Sequence, residues 1–367
     1  MSGVMTRSSG PRVLMTADAV GGVWTYATDL AAALADHGVE TVIAVLGPPP
    51  TAEQWEALAA SPAVTLVDTG LALDWLSDGA PPVHAAADAV RTLAQEVGAD
   101  MAHLNSPVLA AGGRYPLPVV AAAHGCVATW WDAAHDEPLP APFAWHHALM
   151  REGLAAADAI VAPSHSYAKT IARRYGLPRL PHAVHNGRAP LALGKATPAG
   201  WAFTAGRLWD RVKNTPLLDR VASHVPIRAA GPVVAPHGET VDTEHLNLLG
   251  TLDAASLAHQ LAARPVFVSA ASFEPFGLAV LEAAQAGCPL VLSDIDTFRE
   301  LWEDAAIFVR SEDDFVCAIH ALLADPAEHE AWGDRARARA ARYTPAATAA
   351  AMASLYAGLL PRKRAAA

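Results

Sequence analysis

The stretch that decides the fold opens with Arg12-Val13-Leu14-Met15-Thr16, passes through Asp18-Ala19-Val20-Gly21-Gly22, and continues from Trp24 to His37. Its first residues form a short apolar run, as a parallel strand covered on both faces requires. Gly21-Gly22 then allows a tight turn. From Trp24 onward Tyr26, Leu30, Ala33 and Leu34 fall on one helical face, and Gly38 supplies a left-handed stop. Thr41–Leu46 is the next apolar run, closed by Gly47-Pro48-Pro49-Pro50. Strand, helix and strand in that order predict a doubly wound α/β unit.

The same alternation carries on along the chain. Val64–Val67, Met101–Leu104, Val119–Ala123 and Asp158–Ala162 read as strands, and Ala85–Val97 and Phe143–Ala157 as helices. Ser164 caps a further helix that runs to Tyr175 and ends at Gly176. Residues 186–200 are rich in Gly and Pro, which marks an interdomain linker. A second α/β series follows, with strands at Trp201–Ala205, Ile227–Ala230, Pro265–Ser269 and Leu290–Ser293. Asn247-Leu248-Leu249 leads into Gly250, and helices are expected over Pro216–Ser223, Asp253–Ala263 and Leu278–Gly287. The Ala-rich helices Asp313–Ala324, Ala327–Tyr343 and Pro345–Leu360 close the series. No internal repeat is visible. The expected architecture is two similar α/β halves, 1–187 and 188–344, with a cleft between them.

Length and composition agree with this. At about 150 residues per domain, 367 residues make two or three domains. Apolar residues form 52% of the chain and charged residues 17%, which is core-forming material and not a disordered composition. The net charge of −11 disfavours nucleic acid and broad contact with anionic lipid. Cys126, Cys288 and Cys317 are few and far apart, so neither a disulfide framework nor a Cys-rich zinc site is expected, and a reduced, cytoplasmic setting is. No apolar run reaches the roughly 18–20 residues of a membrane span. Met1 to Pro11 lacks a basic region followed by an apolar one, so no export signal is expected. The basic tail Pro361-Arg362-Lys363-Arg364 reads as a solvated end, with peripheral membrane contact as the alternative.

Several signatures are missing. No G-x-G-x-x-G follows the first strand, so no dinucleotide cofactor is indicated. Gly194-Lys195-Ala196-Thr197 lacks the earlier glycine of a phosphate loop, because Ala189 stands there. No G-x-S-x-G elbow is present. His182 and His185 would share one face of a helix, but no H-E-x-x-H frame surrounds them, so they read as ordinary loop histidines and no metal is expected.

Two clusters carry chemistry. In Ser272-Phe273-Glu274-Pro275-Phe276-Gly277-Leu278-Ala279-Val280-Leu281-Glu282 a strand end passes into a helix that starts near Phe276. Gly277 lets the backbone approach a ligand, and the free N–H groups of the first turn favour an anion. Glu274 precedes the helix and Glu282 lies about one and a half turns into it. Carboxylates so placed suit the neighbouring hydroxyls of a sugar ring or ribose; the structural alternative is acid offsetting a helix dipole. The second cluster, Gly206-Arg207-Leu208-Trp209-Asp210-Arg211-Val212-Lys213-Asn214, also follows a strand. Arg207 and Lys213 could converge on a diphosphate as fork and point charge. Solvated loop cations are the alternative.

These residues resemble the retaining glycosyltransferases of family 4. Glu274 and Glu282 form an E-x7-E motif, and Gly206-Arg207-Leu208 with Lys213-Asn214 is similar to the family's G-R-L…K-N segment. Gly21-Gly22-Val23 resembles the glycine-rich first loop, and His124-Gly125 the H-G after a strand of the first half. Pro163-Ser164, Asn186-Gly187 and Leu249-Gly250-Thr251-Leu252 match shorter segments, so the likeness spans most of residues 12–310. Arg188-Ala189 departs from the family, in which an acid often follows N-G.

The resemblance implies a GT-B fold of two Rossmann-like domains, a metal-independent transfer and no cofactor beyond a nucleotide-diphosphate-sugar donor. Uracil is the first expectation for the base and guanine the second. Arg207 and Lys213 would hold the diphosphate, Glu282 the ribose hydroxyls, and Leu252 the base. Glu274, Phe276, Gly277 and Leu278 would face the transferred sugar, with His124 near that sugar and Gly22 near phosphate and acceptor. The last segment, 345–367, would cross back to the first domain. The acceptor would be a sugar, a lipid-linked glycan or a small molecule, and Trp130-Trp131 would either stack on it or anchor their own loop. Asp294-Ile295-Asp296, outwardly a metal-binding D-x-D, reads as a loop end. The competing expectations are a nucleotide-sugar 2-epimerase and a non-catalytic nucleotide-sugar binder.

Overall fold

A computed structural model describes residues 10–59, 61–197, 199–236 and 238–360. The basic tail at 361–364, the end of the 345–367 segment and most of Met1–Pro11 lie outside the described residues. The chain divides into two units. One holds residues through Trp131, then Glu137–Gly187 and the chain from Pro345 on; the other holds Asp132–Asp136 and Arg188–Thr344.

The first unit is built on strands β1 (Arg12–Asp18), β2 (Glu40–Leu46), β3 (Val64–Leu71), β4 (Met101–Leu104), β5 (Val119–Ala122), β6 (Ala159–Ala162) and β7 (His182–Ala183). Their order across the sheet is β3-β2-β1-β4-β5-β6-β7, and the pairings are parallel. Every residue of β1 is buried, as its apolar run requires. The helix Gly22–Leu34 lays Tyr26, Leu30 and Leu34 on Val13 and Met15, and Met352 and Tyr356 of the helix Pro345–Leu359 join the same core. That last helix belongs to the first unit.

The second unit repeats the plan with β8 (Ala202–Ala205), β9 (Ile227–Ala230), β10 (Asn247–Gly250), β11 (Val266–Ser269), β12 (Leu290–Ser293) and β13 (Ile307–Val309). The order is β10-β9-β8-β11-β12-β13, again parallel. Side chains of a strand alternate between faces. Phe203, Phe267, Leu290 and Leu292 accordingly enter one core, while Ala202, Val266, Val268 and Val291 enter another. Both sheets thus have the strand order of the doubly wound Rossmann-like plan.

Some local expectations change. His182 sits on the two-residue strand β7, paired with Val161, and not in a loop. Trp130 and Trp131 belong to the helix Val127–Ala134, where the Trp131 indole N–H donates to the Glu137 carbonyl at 2.8 Å and the ring lies 5.9 Å from Phe143. Asp296 opens the helix Asp296–Trp302, so Asp294-Ile295-Asp296 is a strand-to-helix junction. The helix after β11 starts at Leu278, the expected residue. No described helix is long and apolar enough to cross a membrane.

Candidate functional site

In each sheet the strand order reverses once, between β1 and β4 and between β8 and β11. Loops that leave the C-terminal ends of such strands run in opposite directions and open a crevice, which is where doubly wound sheets bind ligands. In the second unit these loops are 206–214, after β8, and 270–277, after β11. The Ser272 N–H donates to the Val212 carbonyl at 2.9 Å and ties one loop to the other. Across this tie Lys213 Nζ lies 2.5 Å from Glu274 Oε2. The structure therefore brings these two candidates together at the switch point.

Gly277 follows at once, with φ 94, a left-handed conformation that favours glycine. A Cβ there would come 3.2 Å from Glu274 Cγ and 3.4 Å from the Phe298 ring. Gly277 is the N-cap of the helix Leu278–Ala286 and offers no side chain to its first N–H groups, so an anion is favoured at this end. On the other loop Gly206 packs so tightly on Gly231 that a Cβ on Gly231 would fall 1.7 Å from the Gly206 carbonyl oxygen. Leu252 and Leu278 are half-buried against the core that holds Phe276. The Phe276 ring meets Tyr343 edge-on at 5.7 Å.

Arg207 and Glu282 have partners that the sequence did not announce. Arg207 Nη2 donates to Asp210 Oδ2 at 3.0 Å, with the arginine side chain 58% exposed and the aspartate 2%. The guanidinium carbon also stands 5.6 Å from the Trp209 ring centroid. Glu282 Oε1 accepts from Arg188 Nε at 2.9 Å, and the Gln285 amide donates to the Arg188 carbonyl at 2.7 Å. Arg188, which the sequence shows only as a departure from the family pattern, is thus the partner of a candidate ligand-binding carboxylate. The pair spans 94 residues, and no local spacing rule reports it.

In the first unit Gly22 is the first, exposed residue of the helix Gly22–Leu34, not part of a loop, and Gly21 is its N-cap. His124 sits at the bend after β5. Its Nε2 lies 2.8 Å from Asn105 Oδ1, and the Tyr26 ring meets it edge-on at 4.4 Å. Burial pulls the His124 pKa down to about 3, with His103 adding to the shift. The ring is neutral at physiological pH. Asn105 and His103 belong to no motif of the sequence analysis; the signal for them is His-x-Asn at the end of a short strand, which places both on one face.

Asp294 has both carboxylate oxygens engaged by arginine, Oδ1 by Arg299 Nε at 2.6 Å and Oδ2 by Arg310 Nε at 2.7 Å. Hydrogen bonds from Arg299 first, and then from Arg310, hold its pKa down to about 2. Asp294 is thus built into an ion-pair cluster.

Comparison with known proteins agrees with the two-unit geometry. Residues 20–189 match the family model Glycosyltransferase Family 4, and residues 242–339 match Glycosyl transferases group 1. Among curated proteins no sequence matches the chain. Among solved structures the sucrose-phosphate synthase of Thermosynechococcus elongatus superposes with a TM-score of 0.76 at 18% identity, covering 95% of this chain and 99% of its own. HepE of Anabaena, solved with UDP-glucose, gives 0.71 at 16% identity over 95% and 100%. A glycosyltransferase of Rickettsia africae gives 0.69 at 13% identity over 97% and 100%. At these identities the likeness is one of fold, and the fold is GT-B.

Proposed function

We propose, for a chain that is a glycosyltransferase of the family 4 type, that it moves a hexose from a nucleoside-diphosphate sugar to an acceptor hydroxyl with retention of configuration. A UDP-sugar is the first candidate donor; HepE, a structural relative, was solved with UDP-glucose. The observation that carries the reading is the Lys213–Glu274 pair at the switch point, beside the glycine-capped helix Leu278–Ala286.

The chemistry follows from charge. The bond between the anomeric carbon and the β-phosphate oxygen breaks, and negative charge grows on that oxygen. In this reading Lys213, Arg207 and the N–H groups of the helix Leu278–Ala286 stabilise it in place of a metal. The acceptor oxygen bonds to the same face of the anomeric carbon. Its proton passes to the departing phosphate oxygen, and nucleoside diphosphate leaves. Glu274 holds the Lys213 ammonium in place while its second oxygen accepts from a sugar hydroxyl. Glu282, oriented by Arg188, accepts from the ribose. Acceptors of the sugar, lipid-linked or small-molecule classes fit the reading equally.

The test is a thermal-shift screen of UDP-, GDP- and ADP-sugars, followed by nucleotide release with each acceptor class. Stabilisation by one donor and acceptor-dependent release support the reading. Epimer formation without an acceptor would point to an epimerase, and binding without turnover to a non-catalytic binder.

A further inference from the structure

We infer that Asn105 is a positioning residue that fixes the proton order of His124, so that His124 meets its ligand as a hydrogen-bond acceptor through Nδ1. The inference rests on the transferase reading only for the identity of that ligand.

Asn105 lies just past β4, at the switch point of the first sheet. Its backbone N–H donates to Thr16 Oγ1 at 2.9 Å, and its side-chain Nδ2 donates to the Thr16 carbonyl at 2.7 Å. A carbonyl can only accept, so the amide has one orientation. The oxygen therefore faces the other way, towards His124 Nε2 at 2.8 Å and His103 Nε2 at 3.1 Å. An amide oxygen can only accept, so both imidazoles must carry a proton on Nε2.

The remaining nitrogens are then determined. His103 Nδ1 lies 2.5 Å from the Tyr356 hydroxyl. Burial lowers the His103 pKa to about 4 and raises that of Tyr356 well above its ordinary value, so the hydroxyl donates and Nδ1 accepts. His124, neutral by the same burial, is left with a bare Nδ1. No hydrogen bond from a described residue reaches that atom, and the residue keeps partial access to solvent. A bare imidazole nitrogen accepts; it cannot donate to a phosphate oxygen, nor attract one by charge. The partner it fits is an O–H or N–H donor, such as a sugar hydroxyl. Tyr356 comes from the helix Pro345–Leu359, so the last helix of the chain completes the hydrogen bonds of His103 beside Asn105.

The test reads the protons directly. Full-length protein labelled with 15N on its imidazoles is examined at pH 7.5 by long-range proton–nitrogen correlation, with His124→Gln and His103→Gln for assignment. The expected wild-type pattern is a neutral Nε2–H ring for both residues. Asn105→Ala should turn His124 into a mixture of tautomers and lower kcat/KM about 100-fold, the scale of a misplaced catalytic contact. Asn105→Gln should restore part of both effects. A wild-type His124 that is charged or carries its proton on Nδ1 overturns the inference, as does an Asn105→Ala spectrum with His124 unchanged. The spectrum is recorded without donor or acceptor. A chain that shows the expected proton order but transfers no sugar would therefore count against the transferase reading and not against the role of Asn105.

Discussion

Arg188 reaches Glu282: its Nε lies 2.9 Å from Oε1, with the two side chains only 20% and 12% exposed. The carboxylate that the family resemblance assigns to the ribose is therefore already oriented by a cation. A partly buried carboxylate that loses such a partner keeps its desolvation cost without the compensating bond. Arg188→Ala is expected to lower stability by about 1–3 kcal/mol and to weaken nucleoside-diphosphate binding. Arg188→Glu, which supplies the acid commoner in the family, should do more harm than Ala because it sets two carboxylates together. Urea unfolding of the three proteins checks this; identical midpoints would mean the pair is ornamental.

Stability should fall on mild acidification. His124 and His103 have folded pKa values near 3 and 4, below the ordinary 6.5. Between the ordinary and the depressed values the unfolded chain binds protons that the folded chain does not. Stability is therefore whole above about pH 6.5 and is lost as pH falls towards 4, by about 1.4 kcal/mol per pH unit for each ring that stays neutral. Denaturation at pH 7.5, 6.0 and 5.0 reads the slope, and His103→Gln should make it shallower. A flat profile would mean that these rings titrate as in the unfolded chain.

Gly231 is where backbone meets backbone. An added Cβ would lie 1.7 Å from the Gly206 carbonyl oxygen, at φ 134. Gly231→Ala is expected to cost about 3 kcal/mol and to displace the Gly206 loop, which carries Arg207. Gly250→Ala provides a comparison: φ is 68 but nothing lies within 4 Å, so backbone strain alone remains. Calorimetric melting should rank Gly231→Ala well below Gly250→Ala, and equal Tm values would contradict the packing argument.

Much of the fold was legible because its strands are short, apolar and punctuated. β9 and β12 occupy the expected residues, and Gly38, Gly176 and Gly287 end their helices in left-handed conformations. What escaped was too brief or too polar to stand out. β7 has two residues and β13 three, too few for any periodicity. The helix Ala52–Ala59 has only eight residues and lies between prolines and a strand. The Asp294–Asp296 stretch reads as a loop end, and the ion pairs of Asp294 with Arg299 and Arg310 are not visible in it. The candidate site divides the same way. Lys213 and Glu274 are each legible as candidates because each follows a strand at the switch point, but their contact with one another is not. Arg188–Glu282 and the Asn105–His124 contact depend on how distant loops return, which no local spacing encodes.

Calorimetric titration of UDP into wild type and Lys213→Ala bears most directly on the central claim, that the switch point of the second sheet holds a diphosphate. Loss of one charge-assisted contact is expected to weaken binding about 10-fold or more, with Arg207→Ala acting in the same direction. Equal UDP affinity in all three proteins would contradict the account.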